Sequence, residues 1–147
     1  MTSGVNEIVI VKATRLDIDA IKQIADAHRR ELGFIRRPSL LEAIDRSEVF
    51  LAKKSDIPIG FVEYRHRKDE QTTLYNIAVM SEYRNSGVGR KLVERLKAES
   101  QERKKTYILL KCPEDLPANK FYSIIGFHLY ETEPGKHRKL NIWRWTF

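Results

Sequence analysis

The residues best able to do chemistry sit together in EYRNSGVGRKLVERL, residues 82–96. Gly87 and Gly89 fall between Arg84 and Arg90, directly after the apolar run LYNIAV and directly before an amphipathic pattern. A strand that passes through a glycine turn into a helix exposes unpaired N–H groups at the positive end of the helix dipole. Such a turn binds anions, phosphates above all. Arg84, Arg90 and Lys91 add positive charge, and a glycine lets backbone approach a phosphate that a Cβ would hold away. Two common phosphate patterns fit poorly. Leu92 stands where a dinucleotide fingerprint needs its third glycine, and no glycine precedes Gly87 at P-loop spacing. The alternative is that both glycines only permit close packing of helix on strand. Elsewhere, Cys112 is the single cysteine, with no histidine motif beside it, and reads as packing at a strand end. The four histidines show no ligand spacing, so no metal site is expected, and His28 reads as half-buried on an apolar helix side.

These groups need elements to position them. EIVIVKA (7–13), EVFLAKK (48–54), IGFVEYR (59–65), TTLYNIAV (72–79), TYILLKC (106–112), FHLYETE and LNIWRWTF read as strands. TTLYNIAV is apolar or aromatic on both faces, as a central strand is. Ile18, Ile21, Ile24, Ala25, His28 and Leu32 make a helical stripe that Gly33 ends, and Ser39 after Pro38 is placed to cap a second helix. Helices follow over GVGRKLVERLKAES and LPANKFYSIIGF. The order β-α-α-β-β-β-α-β-α-β-β predicts a mixed sheet flanked by helices, an α/β layer architecture in one domain spanning 1–147. Thr72 to Cys112 is strand–helix–strand, which predicts a parallel pair joined by a right-handed crossover. Trp143 and Trp145 alternate with Arg144, so both indoles should face one side of the sheet.

In that context R-N-S-G-V-G, with NIAV before it and Ala118, Phe121-Tyr122 and Gly126-Phe127 after it, resembles the GCN5-related N-acetyltransferases. The motifs cover about Ile59 to Phe127, and the element order covers the whole chain. The resemblance implies acetyl-CoA as co-substrate. Amides from Asn85 through Ser86, Gly87, Val88 and Gly89 to Arg90 would hold its pyrophosphate beside Arg84. Backbone groups of Ile77 and Val79 would hold the pantetheine arm, and Ala118 would stand in the following element. Tyr122 would be the general acid for the departing thiolate, its alternative a core tyrosine beside Phe121 and Phe127. Asp115 occupies the place where relatives often carry a cofactor-contacting asparagine. Relatives also carry a glutamate on one of two strands, at places held here by Thr73 and Leu110. Glu63, Glu114 and Asp115 are substitutes for that base, and ordered water is another. For Glu63, an outward position in its strand is the competing expectation.

The implied reaction is transfer of an acetyl group to a primary amine by direct attack in a ternary complex. A non-catalytic CoA-binding sensor is the second reading. The net charge of +7 fits a solvated basic surface, a polyphosphate ligand or nucleic acid, which composition does not separate; the basic surface favours an acceptor carrying acidic groups, and nucleic-acid binding ranks well below the enzyme and sensor readings. No apolar run is long enough to span a membrane, the N-terminus does not read as a secretory signal, and one cysteine fits a reducing compartment. A cytoplasmic protein is expected. A homodimer through the terminal strands or an open sheet edge is a further reading.

Overall fold

A computed structural model describes residues 7–147; Met1 to Asn6, part of the stretch read as lacking a secretory signal, lie outside the described residues. In chain order the elements are β1 (Ile8–Lys12), α1 (Ile18–Ala27), α2 (Arg29–Leu32), α3 (Arg37–Asp45), β2 (Val49–Lys54), β3 (Ile57–His66), β4 (Gln71–Val79), α4 (Val88–Glu102), β5 (Tyr107–Pro113), α5 (Ala118–Ile124), β6 (His128–Glu133) and β7 (Leu140–Thr146), with short 3-10 turns at Arg15–Asp17 and Ser81–Tyr83. The seven strands form one mixed sheet in the order β1-β2-β3-β4-β5-β7-β6. The parallel pair is β4 and β5, joined through α4 as the strand–helix–strand pattern predicts.

Alternation along β2 shows how the sheet divides its core. Val49 and Leu51 pack with Phe61, Ala78 and the stripes of α1 (Ile21, Ile24, Ala25) and α3 (Leu40, Ala43, Ile44). Phe50 and Ala52 pack on the other face with Val62, Tyr64, Leu110 and Trp143 under Val88, Leu92, Val93 and Leu96 of α4 and Tyr122 of α5. Helices therefore cover both faces, which is why β2 and β3 read as nearly continuous apolar runs.

Two helix boundaries differ from the sequence reading. The first stripe does not run unbroken to Leu32, because His28 leaves helical geometry (φ −112°, ψ 25°) and its Nδ1–H donates to the Ile24 carbonyl at 2.8 Å. That side chain satisfies a carbonyl the ending helix leaves open. Gly33, at φ 74°, closes the single turn of α2. The next helix starts at Arg37, ahead of Ser39, with Pro38 in its first turn, where a missing N–H costs nothing.

Far from the glycine turn, a buried polar cluster ties the start of the sheet to the end of α4. Glu99 accepts from the Tyr64 hydroxyl at 2.6 Å and pairs with Lys12 at 2.7 Å and His66 Nε2 at 2.9 Å. Burial pushes the Glu99 carboxyl up, but hydrogen bonds from His66, Lys12 and Tyr64 and the Lys12 charge outweigh it and hold the group at about 2. A depressed carboxylate stabilises the fold above its unfolded value and loses that contribution as pH falls through its folded value. Glu99→Gln should therefore melt lower than the parent at pH 7, with the gap closing as pH falls from about 4.5 toward 2. Thermal melts of both proteins across that range check this; a constant gap would assign the loss to packing.

Candidate active site

The site begins where the parallel pair comes apart. β4 and β5 are in register only from Gln71↔Tyr107 to Thr73↔Leu109. Beyond Thr73, β4 stays paired with β3 through Gly60↔Val79, while β5 stays paired with β7 through Pro113↔Leu140. Each strand thus keeps one partner and turns an unpaired edge toward a widening gap. Unpaired N–H and C=O groups on such an edge offer main-chain hydrogen bonds to an extended ligand. The gap opens into a cleft of about 1020 Å³.

The glycine turn closes one end of this cleft, and its two glycines have different reasons to be there. Gly87 caps α4 in the left-handed region at φ 85°, a conformation that side chains resist, and no atom lies within 4 Å of where a Cβ would stand. Gly89 is tight instead: a Cβ there would meet the Phe121 ring at 3.1 Å. Close packing of α4 against α5 therefore accounts for Gly89, and the turn geometry accounts for Gly87. The first helical bond runs from Lys91 N–H to the Gly87 carbonyl at 3.0 Å, so the amides of Val88, Gly89 and Arg90 precede the ladder. Those amides sit in the cleft wall at the positive end of a fifteen-residue helix.

Ile77, Val79, Arg84, Asn85, Gly87, Val88, Gly89, Arg90, Ala118 and Tyr122 all line this cleft, so the fold brings together ten positions drawn from three segments of sequence. Asn85 has a positive φ of 63°, which asparagine tolerates better than most residues and which turns the chain toward α4. Tyr122 is 6% exposed, with its ring set edge-on to Phe121 at 5.5 Å and tilted against Phe127 at 6.0 Å. Burial, and then the neighbouring Cys112, push its phenol well above the ordinary tyrosine range, so it holds its proton. No hydrogen bond ties up that hydroxyl among the described residues. Burial also pushes the Cys112 thiol up to about 11, which removes the thiolate a covalent acyl route needs.

Three expected site residues are set outside the cleft wall. The Ser86 hydroxyl turns back and donates to the Tyr83 carbonyl. Asp115 is paired with Arg138 at 3.0 Å, which draws its carboxylate to the side of the β5–α5 loop. Glu63 does not point outward: it is 9% exposed and accepts from Asn76 Nδ2 at 2.8 Å. Burial pushes its carboxyl up, against the Asn76 hydrogen bond and the Arg46 charge. Asn76 lines the cleft and Glu63 stands behind it, because the register pairs the two residues across β3 and β4.

Several cleft residues had no signal in the sequence. Glu31 of α2, Lys111 of β5 and Arg138 of the last turn all reach the wall, and so does Tyr75 of β4, an aromatic that the sequence offers for an acceptor pocket. Tyr75 and Lys111 also line a second groove of about 500 Å³, so the two spaces border on the same residues. Asn119 was equally silent. Its Nδ2 donates to the Pro113 and Leu116 carbonyls at 2.8 Å each, while its Oδ1 accepts from Trp143 Nε1 at 2.8 Å. One side chain thus fixes the β5–α5 loop against β7. Among the described residues no group of three or more His, Cys, Asp or Glu is placed to hold a metal ion.

A family model for the acetyltransferase (GNAT) family matches residues 18–127, most of the chain. The chain belongs to the GNAT acetyltransferase family. Solved structures agree on the fold. The chain is similar to Ard1 from Thermoplasma volcanium (TM-score 0.86, 17% identity, covering 95% of this chain and 97% of that one). It is also similar to the PaiA N-acetyltransferase from Thermoplasma acidophilum, solved in complex with coenzyme A (TM-score 0.84, 18% identity, 96% and 99% covered). A third likeness is to the ribosomal-protein-S18-alanine N-acetyltransferase from Escherichia coli (TM-score 0.76, 20% identity, 95% and 94% covered). Comparison with curated protein sequences gave no match. The GNAT assignment agrees with the split sheet and the glycine turn, the two features that shape the cleft.

Proposed function

We propose that this protein transfers an acetyl group from acetyl-CoA to a primary amine, by direct attack while both substrates are bound. The observation that carries the reading is the split between β4 and β5, which leads from an unpaired strand edge to free amides at the start of α4 and passes a buried phenol with no hydrogen-bond partner among the described residues. The residues present fit acetyl-CoA. Amides of Val88, Gly89 and Arg90, with Arg84, take the pyrophosphate, and Gly87 leaves open space there. The β4 edge at Ile77 and Val79 pairs with the amide-containing arm, and Leu116, Ala118 and Phe121 form its apolar opposite wall. Coenzyme A bound to the PaiA structure supports this fit.

When bound, acetyl-CoA supplies an acyl group activated as a thioester. An unpaired β4 amide stabilises negative charge developing on the acyl oxygen. Tyr122 holds a proton at its phenolic oxygen for the departing sulfur, and the buried rings around it exclude water. The second groove, which borders the cleft at Tyr75 and Lys111, offers further surface to an acceptor larger than a small amine.

Thiol release is the direct test. Acetyl-CoA is incubated with peptides bearing free N-termini, with and without acidic second residues, and with small primary amines. Thiol release that depends on the amine is the expected result. Tight binding of acetyl-CoA with no amine-dependent release across the panel would instead identify a cofactor-sensing module.

A further inference from the structure

The second groove holds an arginine whose guanidinium is only half used. Arg67 follows the end of β3, where the chain turns toward β4, and it is partly buried. Its Nε–H donates to Thr73 Oγ1 at 3.1 Å, and one N–H of Nη2 donates to the Tyr75 hydroxyl. The guanidinium also lies over the Tyr75 ring, 5.6 Å from its centroid. Two hydroxyls therefore fix the fork along one edge. Its end, made by Nη1 and the second N–H of Nη2, has no hydrogen bond or ion pair among the described residues. Two parallel N–H groups held in that geometry match a carboxylate.

The two anchors place Arg67 at the closed end of the split. Thr73 is the last residue at which β4 pairs with β5, so it marks the apex. Tyr75 lines both the cleft and the groove. The glycine turn lies at the other, open end, beyond Val79. A cofactor with its diphosphate at that turn and its arm along β4 directs its thioester toward the apex, where an acceptor must meet it.

The other cations lining the two spaces are engaged or sit at the turn. Lys111 pairs with Glu133 at 2.7 Å, and Arg138 pairs with Asp115 at 3.0 Å. Arg84 and Arg90 belong to the glycine turn, and Arg30 is on α2 next to Glu31, which reaches Arg84. Glu131 and Glu133 also line the groove, but they are on β6, the third strand across from β4 and about 14 Å away at ordinary strand spacing. Uncompensated positive charge at the apex therefore comes from Arg67.

Resting on the acetyltransferase reading above, we propose that Arg67 binds a carboxylate of the acceptor. The protein then selects amines with an acidic group close by, as in a peptide N-terminus with Asp or Glu at its second residue. Tyr75 positions the fork, and its own hydroxyl proton is left to donate to the same carboxylate.

The test uses peptides with free N-termini that differ only in Asp, Asn or Lys at the second residue. Wild-type protein should favour Asp over its isostere Asn by about tenfold or more in kcat/KM, mostly through KM, the ordinary worth of a charge-assisted hydrogen bond. Arg67→Gln should bring that ratio to about one, and Arg67→Glu should favour the Lys peptide. Tyr75→Phe keeps the ring but releases the fork, so it should lower the ratio in part. A second readout needs no turnover. With CoA present, wild-type protein should hold the N-acetylated Asp peptide about tenfold tighter than the Asn one in calorimetry, and Arg67→Gln should lose that difference. A wild-type ratio near one, or a preference that survives in Arg67→Gln, would overturn the proposal alone. Absence of thiol release with every peptide and small amine would instead sink the acetyltransferase reading, and this proposal with it.

Discussion

Replacing Tyr122 with phenylalanine is expected to lower kcat for amine acetylation by ~10²–10⁴-fold, the usual worth of a positioned general acid. The substitution is unusually clean here. The ring is locked between Phe121 and Phe127, and phenylalanine keeps both contacts. The hydroxyl has no protein partner in the described chain, so deleting it strands no donor or acceptor. Melting temperature and acetyl-CoA affinity should stay close to the parent's while turnover collapses. Equal turnover in both proteins would return Tyr122 to its other role, a core aromatic at the edge of the cleft. The raised phenol has a consequence for pH as well. Burial holds the proton on Tyr122 across the working range, so no loss of activity from tyrosine ionisation should appear on the alkaline limb up to about pH 10.

Gly87→Glu is expected to reduce acetyl-CoA affinity by about 10²-fold or more, from two additive causes. A non-glycine residue at φ 85° is strained by roughly 1–2 kcal/mol. The new carboxylate would also occupy the open space above the first amides of α4, where a diphosphate needs positive potential. Gly87→Asn separates the two causes. Asparagine tolerates the left-handed region and carries no charge, so its protein should bind within about tenfold of the parent. Calorimetric titration of all three proteins checks this. A Gly87→Glu protein that binds normally would place the cofactor elsewhere.

Much of the architecture was legible because local periodicity is strong in this chain. β2, β3 and β4 announce themselves as β-branched and aromatic runs, and the glycine turn between β4 and α4 stands out by composition alone. The errors are instructive. Ser39 looked like a cap, yet Pro38 suits the first turn so well that the helix begins before it. Glu63 looked like an outward position in an alternating strand. It is buried because helices α1 and α3 cover that face of the sheet, and the pairing with Asn76 makes the burial tolerable. Asp115 lay in the right stretch but found Arg138 from a loop more than twenty residues on, a pairing that no local pattern encodes.

Element order, the parallel β4–β5 crossover and the position of the glycine turn were thus determined by the sequence itself, since each follows from spacing within a few residues or from one strand–helix–strand unit. The cleft was decided by tertiary structure. β4 and β5 part after Thr73, beside the irregularity where the β3–β4 register passes from Tyr64↔Leu74 to Glu63↔Asn76, and the bulge this leaves at Tyr75 bends β4 locally next to the point where its pairing with β5 ends. Glu31, the one carboxylate lining the cleft among the described residues, is likewise placed by the tertiary structure. Glu31 and Arg84 are far apart in sequence and meet only because α2 and the glycine turn flank the same opening. Hydrophobic spacing is a local property, whereas charge facing a cavity depends on which surfaces the fold leaves bare.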